Sequence, residues 1–342
     1  MSKLNRAAQE FIQSYEKRYE TTKKAAELAS EMVERYLQDA GVFVQIISSR
    51  AKSLDSLREK LRRKQYKNPT KELKDLIGIR IICYYSDTID EVISKLRQEF
   101  EINKKESVDK RNISGKDSYF GYKSVHLIVR LKKGQALSID HLPLRESWFE
   151  IQIRSILEHA WAEIEHKVVY KSGIKYTNNV TRRFARLAGS LELLDSEFLA
   201  LRGERDQLIK AYCDKYLLGK EGGEEFDVAR LLGFLQATLP SGQEGTIPLG
   251  TGFQVSCVDA LKEVGLGTAK SLRRIFRSRK FRYALTSFAS EQGIAPDEVS
   301  HLAVVVIAVA IKNAFIVKRH FPEMIYDPAI ANIIKRRVRI IK

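Results

Sequence analysis

The chain has 342 residues, 44% of them hydrophobic, and a formal net charge of +16. That length fits two domains better than one, the apolar content supports a sizeable core, and the charge points to an anionic partner such as nucleotides, RNA or acidic lipid. Cys83, Cys213 and Cys257 lie far apart with no metal-binding spacing, so free thiols in a reducing compartment are the simplest reading. The opening MSKLNRAAQEF lacks a signal-peptide core, and the longest apolar run, 302–311, is too short to span a bilayer. A soluble, cytoplasmic protein with no membrane partner is expected.

Residues from about Asn5 to Tyr36 have helical periodicity and no Pro or Gly, and predict one or two amphipathic helices. Gly41 ends them, and a short apolar run, Val42–Ile47, follows. Ser48–Lys64 then reads SSRAKSLDSLREKLRRK, with Leu54, Leu57 and Leu61 on one helical face and bases on the other. Leu76–Tyr85, LIGIRIICYY, is a buried strand by its β-branched content, and a helix capped at Ser86 or Asp87 follows. A charged loop over 101–118 leads to a second strand, FGYKSVHLIVRL. The third strand opens the stretch FEIQIRSILEHAWAEIEHKVVYK, where Phe149, Ile151 and Ile153 alternate with Glu150, Gln152 and Arg154. Ile156, Ala160, Ile164 and Val168 continue it as a helix. A long helical region reaches about Tyr216, and GKEGGEE, 219–225, reads as a linker to a separate, mainly helical unit with a buried apolar helix near His301–Val317. The expected domains are therefore 1–218 and 226–342.

Four polar groups interrupt these elements. Lys52, Ser56, Lys60 and Arg63 share one face if they lie on a helix, and with Arg50 and Ser53 they could hold a polyphosphate or form a solvated basic face. Asp75 stands at the mouth of a buried strand that carries Arg80, where it could reach a metal or a strand-edge ion pair. Tyr122, Ser124 and His126 alternate on one strand face, as for stacking on a base, with Lys123 opposite. Glu150 would be a second carboxylate beside Asp75, and two such groups commonly hold Mg²⁺ against nucleotide phosphates.

Taken together, RAKS…EKLRRK, DLIGIRI, GYKSVH and FEIQIRS…HAWAEIEHKVVYK resemble, in order, the motifs of the RelA/SpoT-type alarmone synthetase domain, over roughly residues 20–215. The resemblance implies an α+β fold, a mixed β-sheet flanked by helices of nucleotidyltransferase-like type, and the sequence pattern adds the second, mainly helical C-terminal domain. It implies transfer of the β,γ-pyrophosphate of ATP to the ribose 3′-hydroxyl of GDP or GTP, giving (p)ppGpp and AMP. By the same resemblance Arg50 and Arg80 would sandwich adenine, and Lys52, Ser56, Lys60 and Arg63 would hold the ATP phosphates. Asp75 and Glu150 would bind Mg²⁺, with Glu150 also drawing the proton from the acceptor hydroxyl. Tyr122 would stack on guanine, Lys123 and His126 would lie near the phosphates, and Gln152, Arg154 and His159 would line the acceptor side. Two positions depart from the pattern: Lys123 stands where many members have Arg, and His159 where small members often have Asn. No His is followed by Asp, so the family's hydrolase activity is not expected.

From about residue 220 onward the motifs do not point to a family. VGLGTAKSLRRI, 264–275, resembles a helix-hairpin-helix, and Ala269 stands where a phosphate loop needs Gly. The cluster Lys270, Arg273, Arg274, Arg277, Arg279, Lys280 and Arg282 could bind tRNA or other RNA, or be a solvated face. It supports a rival, a toxic small-synthetase-like enzyme that pyrophosphorylates the CCA end of tRNA, and a rival of another class, a non-catalytic RNA-binding or regulatory module. The partners expected are thus ATP and GDP or GTP, with RNA open at the C-terminal domain and room for a homo-oligomer.

Overall fold

The computed structural model describes residues 4–112, 124–132, 144, 147–170, 178–220, 222–239, 252–326, 328 and 330–334. Chain contacts divide it into two compact units, residues 1–200 and 201–342.

The first unit is built on a mixed sheet. Strands β1 (Ile46–Ala51), β2 (Ile77–Cys83), β3 (Phe100–Ile102), β4 (Val108–Asp109), β5 (Val125–Leu131) and β6 (Phe149–Ser155) are ordered β1-β2-β6-β5-β3, with β4 also paired to β5. β2 and β6 run parallel and the other pairs antiparallel. Because side chains alternate across a strand, register decides which face each presents. Ile79, Ile81, Ile151, Ile153, Leu127 and Val129 fall on one face and join a buried core. Helices α2 (Tyr19–Asp39) and α5 (Thr88–Glu99) cover that face through Ala29, Val33, Leu37, Ile89, Val92 and Leu96. The polar partners of these residues fall on the other face. A smaller core joins Phe11 and Tyr15 of α1 (Arg6–Lys17) to Leu57 and Leu61 of α3 (Leu54–Lys64) and to Leu73, just after the single-turn α4 (Pro69–Glu72).

Two local expectations change, and one strand adds to those expected: β1 begins at Ile46 and takes in SSRA, after most of the apolar run 42–47. Lys52 lies before α3, whose N-cap is Ser53, so it does not share a helical face with Ser56, Lys60 and Arg63. The row Ile156, Ala160, Ile164 of α6 (Ile156–Glu165) faces outward, with Ile164 57% exposed. Trp161 is the buried anchor instead, packed with Leu157 against Phe184, Ala188 and Leu191 of α7 (Asn178–Leu217). After α6 the chain turns through a short π-helix, His166–Tyr170.

The second unit is helical, as expected. It comprises α8 (Val228–Thr238), α9 (Phe253–Glu263), α10 (Ala269–Phe276), α11 (Arg279–Gln292), α12 (His301–Lys312) and α13 (Ala314–His320). α12 is its axis: every residue from Ala303 to Ala310 is buried. Gly265, left-handed at φ 71°, turns the chain between α9 and α10. The division between units falls inside α7 and not at the Gly-rich 219–225, because Tyr216 at the end of α7 is buried with Phe226 and Phe234. Among the described residues no helix is long and apolar enough to cross a membrane.

Candidate active site

Strand register assembles the site. Arg80 stands opposite Ser48 on β1 and Gln152 on β6, and Gln152 stands opposite His126 on β5. One residue pair along, Gly78 lies between Arg50 and Glu150. Residues contributed by four strands therefore form two adjacent polar rows on the face away from the core.

Glu150 sits at the centre of this face. His126 Nδ1 is 2.7 Å from Glu150 Oε1, and Gln152 Nε2 donates to Glu150 Oε2 over 2.9 Å. His126 Nε2 meets Ser124 Oγ at 2.9 Å, and facing an ionised carboxylate Nδ1 is the donor. Burial disfavours ionisation of Glu150, but the hydrogen bond and charge of His126 and the amide of Gln152 outweigh it and hold the carboxyl below its usual range. Asp75 is close enough for its charge to push the other way.

Asp75 forms the second centre. Lys52 Nζ and Lys60 Nζ both donate to Oδ2, at 2.8 and 2.7 Å. Burial raises the proton affinity of Asp75, and the two ammonium groups more than offset it, so this carboxyl too stays below its usual range. Its Oδ1 is buried with no hydrogen-bond partner. Lys52 is fixed from behind, since Tyr15 donates its hydroxyl to the Lys52 carbonyl over 2.8 Å. Ser56, by contrast, is exposed and accepts from Ser53 Oγ at 2.9 Å, at the N-terminus of α3. Arg63 is exposed near the helix end.

A cleft of about 240 Å³ is lined by Ser48, Arg50, Gly78, Arg80 and Gln152 among others. The Arg50 side chain lies over Gly78, whose missing Cβ would sit 3.7 Å from its Cγ. Arg80 is held at 3.2 Å by Glu163, one turn beyond His159 on α6. Arg154 reaches Gln152 Oε1 at 3.5 Å, while its Nε is buried with no partner, as is His159 Nδ1. Burial first, and the positive charge of Arg80 second, lower the proton affinity of both Arg154 and His159. An anion placed here would supply the missing acceptor to Arg154.

Most expected site residues thus converge: Arg80, His126, Glu150, Gln152, Arg154 and His159 around the sheet face, and Lys52, Lys60 and Asp75 at its edge. Tyr122 and Lys123 lie outside the described residues. Two contributors are not singled out by the sequence. Glu163 is a helical neighbour of His159, a spacing that could have marked it, whereas the role of Ser48 depends on strand register. For a divalent cation, the orphaned Asp75 Oδ1 and the ionised Glu150 are hard oxygen donors suited to Mg²⁺, which habitually takes few protein ligands and completes its shell with phosphate and water.

The family described as the region found in RelA / SpoT proteins matches residues 49–175. The chain is 30% identical over 185 residues to the GTP pyrophosphokinase YjbM of Bacillus subtilis, covering 53% of this chain and 81% of that protein. It is 31% identical over 162 residues to the GTP pyrophosphokinase YwaC of the same organism, covering 46% and 73%. Among solved structures, the small alarmone synthetase 1 from Bacillus subtilis aligns with a TM-score of 0.46 and 27% identity, covering 57% of this chain and 98% of that one. With the motifs in order and more than two thirds of each curated relative covered, the chain belongs to the RelA/SpoT family.

Proposed function

We propose that the protein transfers the β,γ-pyrophosphate of ATP to the 3′-hydroxyl of GDP or GTP, releasing AMP and forming (p)ppGpp. The observation that carries this reading is the pair Asp75, bonded to Lys52 and Lys60 at the edge of the sheet, and Glu150, bonded to His126 on its polar face, both held ionised. Its relatives are GTP pyrophosphokinases, which supports the same assignment. Whole-chain function, including that of the second unit, is part of the proposal.

A ribose hydroxyl is a weak nucleophile and the β-phosphorus is shielded by anionic oxygens, so the site must position, neutralise and deprotonate. Arg50 and Arg80 flank the cleft and would grip adenine, which suits planar guanidinium groups. Lys52 and Lys60 would exchange part of their hold on Asp75 for the ATP phosphates, with Ser56 and Arg63 at the two ends of α3. Asp75 Oδ1 and Glu150 would hold Mg²⁺, which when bound neutralises phosphate charge. Glu150 would accept the proton as the 3′-oxygen bonds to the β-phosphorus, while the α-to-β bridging bond breaks and AMP leaves with that oxygen. His126 positions Glu150, and Arg154, Gln152 and His159 would orient the acceptor. Tyr122 and Lys123 would complete the guanine and phosphate contacts.

A second reading has one observation in its favour. Between Glu263 and Glu291 the sequence has no carboxylate, and Lys270, Arg274, Arg277, Arg279, Lys280 and Arg282 are all exposed in the second unit. Such a surface suits a polyanion and would favour a tRNA 3′ end as acceptor. Purified protein given γ-labelled ATP with GDP, GTP or bulk tRNA distinguishes the readings. Label on GDP or GTP is expected. Label on tRNA alone selects the second reading, and RNA binding with no transfer rejects both.

A further inference from the structure

Two guanidinium groups meet on the polar face of the sheet, and one carboxylate of α6 serves both. Arg80 of β2 lies opposite Gln152, two residues before Arg154 on β6, so both arginines point away from the core. They repel each other: the positive charge of Arg80 lowers the proton affinity of Arg154. The carboxylate is Glu163. Ser155 and Glu158 close a capping box at the first turn of α6, and Trp161 anchors one side of that helix against α7. His159 and Glu163, four residues apart, share another side, where Glu163 meets Arg80 at 3.2 Å. The charge of Glu163 also favours the charged forms of Arg154 and His159.

The two arginines of the cleft are held differently. Arg50 is exposed, lies over Gly78 and makes no ion pair among the described residues. Arg80 makes one, to Glu163. A long side chain keeps several rotamers unless its head is fixed, and a guanidinium stacks on a base only when its plane is set. The ion pair supplies that hold on the donor side. On the acceptor side the same charge works in the other direction. It draws on Arg154, whose Nε lacks a partner, and weakens the field that an incoming anion meets. We propose that Glu163 is a positioning residue acting on both subsites, fixing Arg80 for the donor base and tempering the pull of Arg154 on an anionic acceptor. The naming of the subsites rests on the transfer reaction proposed above.

The side chains of Arg80 and Glu163 are 28% and 44% exposed, so the pair adds little to folding. Its loss shows in nucleotide binding before it shows in melting. Two substitutions separate the halves of the role. Glu163→Gln removes both the hold on Arg80 and the charge. Glu163→Asp, one methylene shorter, keeps the charge and loses the reach.

In steady-state assays Glu163→Gln should raise the KM for ATP about fivefold and lower the KM for GDP about threefold. The gain for GDP should fade at high salt, because it comes from charge. Glu163→Asp should raise the KM for ATP to a similar extent and leave that for GDP within about 1.5-fold. Melting temperatures should stay within about 2 °C of the unaltered protein. A parallel rise in both KM values with a lowered melting temperature would mean that Glu163 only supports the fold. Unmoved KM values would mean a solvated ion pair with no hold on the site. Either result overturns the proposal, and a GDP KM unmoved in Glu163→Gln rejects its acceptor half. Equilibrium dialysis with a non-hydrolysable ATP analogue and with labelled GDP measures both affinities without turnover. Absence of any transfer rejects the assigned reaction, and the two dialysis constants then decide Glu163 by whether they move in opposite directions. An unaltered protein that binds neither nucleotide overturns both.

Discussion

Glu150 concentrates the chemistry in one side chain. It is half-buried, yet His126 and Gln152 keep it ionised, which is the state a proton acceptor must start in. Glu150→Gln keeps an oxygen for His126 and removes the basic site, so transfer should fall by about 10²–10⁴-fold. Circular dichroism and the melting temperature should change little; full activity in the variant would reject the role. His126 acts through Glu150 and makes a separate prediction. Without its hydrogen bond and charge, burial and Asp75 are left to disfavour ionisation, so the carboxyl titrates at higher pH. His126→Ala should therefore move the acidic limb of the kcat/KM profile upward, leaving more activity near the alkaline end than in the acid range. An unmoved limb would mean that His126 only fills space. Much of this row is legible in the sequence, because a period of two puts Glu150, Gln152 and Arg154 on one face whatever the fold. The His126–Glu150 pairing is not. It depends on β6 lying between β2 and β5, an order no local pattern encodes.

At the scale of elements, α6 shows where periodicity misleads. Its sequence offers two apolar rows at helical spacing, Ile156–Ala160–Ile164 and Leu157–Trp161, and only the second meets a neighbour. The neighbour, α7, is contributed by chain some thirty residues onward, so nothing within the helix identifies the buried row. Lys52 is a similar case: the spacing to Ser56 and Lys60 fits a helix, but Ser53 caps α3 and leaves Lys52 outside, reaching Asp75 from an extended segment. The joint between β6 and α6 has its own chemistry. Ser155 donates to Asp195 Oδ2 over 2.8 Å, and the Ser155 amide donates to Glu158 Oε2 over 2.8 Å. Burial, with the charge of Asp195 adding to it, pushes the Glu158 carboxyl up to about 8. A folded-state value above the unfolded one means that the native state binds the extra proton. This contribution is complete below the free-carboxyl range and is lost as pH rises from there to about 8. Across that window each pH unit withdraws up to about 1.4 kcal/mol. Glu158→Gln keeps the cap acceptor and cannot ionise. It should melt near the unaltered protein at pH 4.5 and progressively above it toward pH 8. A constant offset across the range would show that the carboxyl is not held protonated.

At the scale of the molecule, the chain joins a unit whose sheet pattern can be read locally to one whose helices can only be counted. The second unit reads as helical from the sequence because its strongest signal, the apolar run in α12, is too short for a membrane and long enough for a core. Its boundary is harder to read, because GKEGGEE resembles a linker while the end of α7 is claimed by the second core through Tyr216. The contact that makes this possible is Gly233 of α8. A Cβ there would lie 2.7 Å from Tyr212 Cβ, 2.8 Å from the Ile209 carbonyl oxygen and 2.9 Å from the Cys213 amide nitrogen. Two of those atoms are backbone and cannot rotate away, so α8 would have to move off α7 and loosen the packing of Phe234 and Leu235. The small gain in helix propensity, about 1 kcal/mol, does not offset overpacking of about 1–3 kcal/mol against rigid backbone together with the loosened core. Gly233→Ala should lower the melting transition of the second unit by several degrees in calorimetry, and Gly233→Val by more. The first unit's signals, including Trp148 emission, should melt where they did before. A second-unit transition that is unmoved in both variants would show that α8 and α7 do not pack at backbone distance.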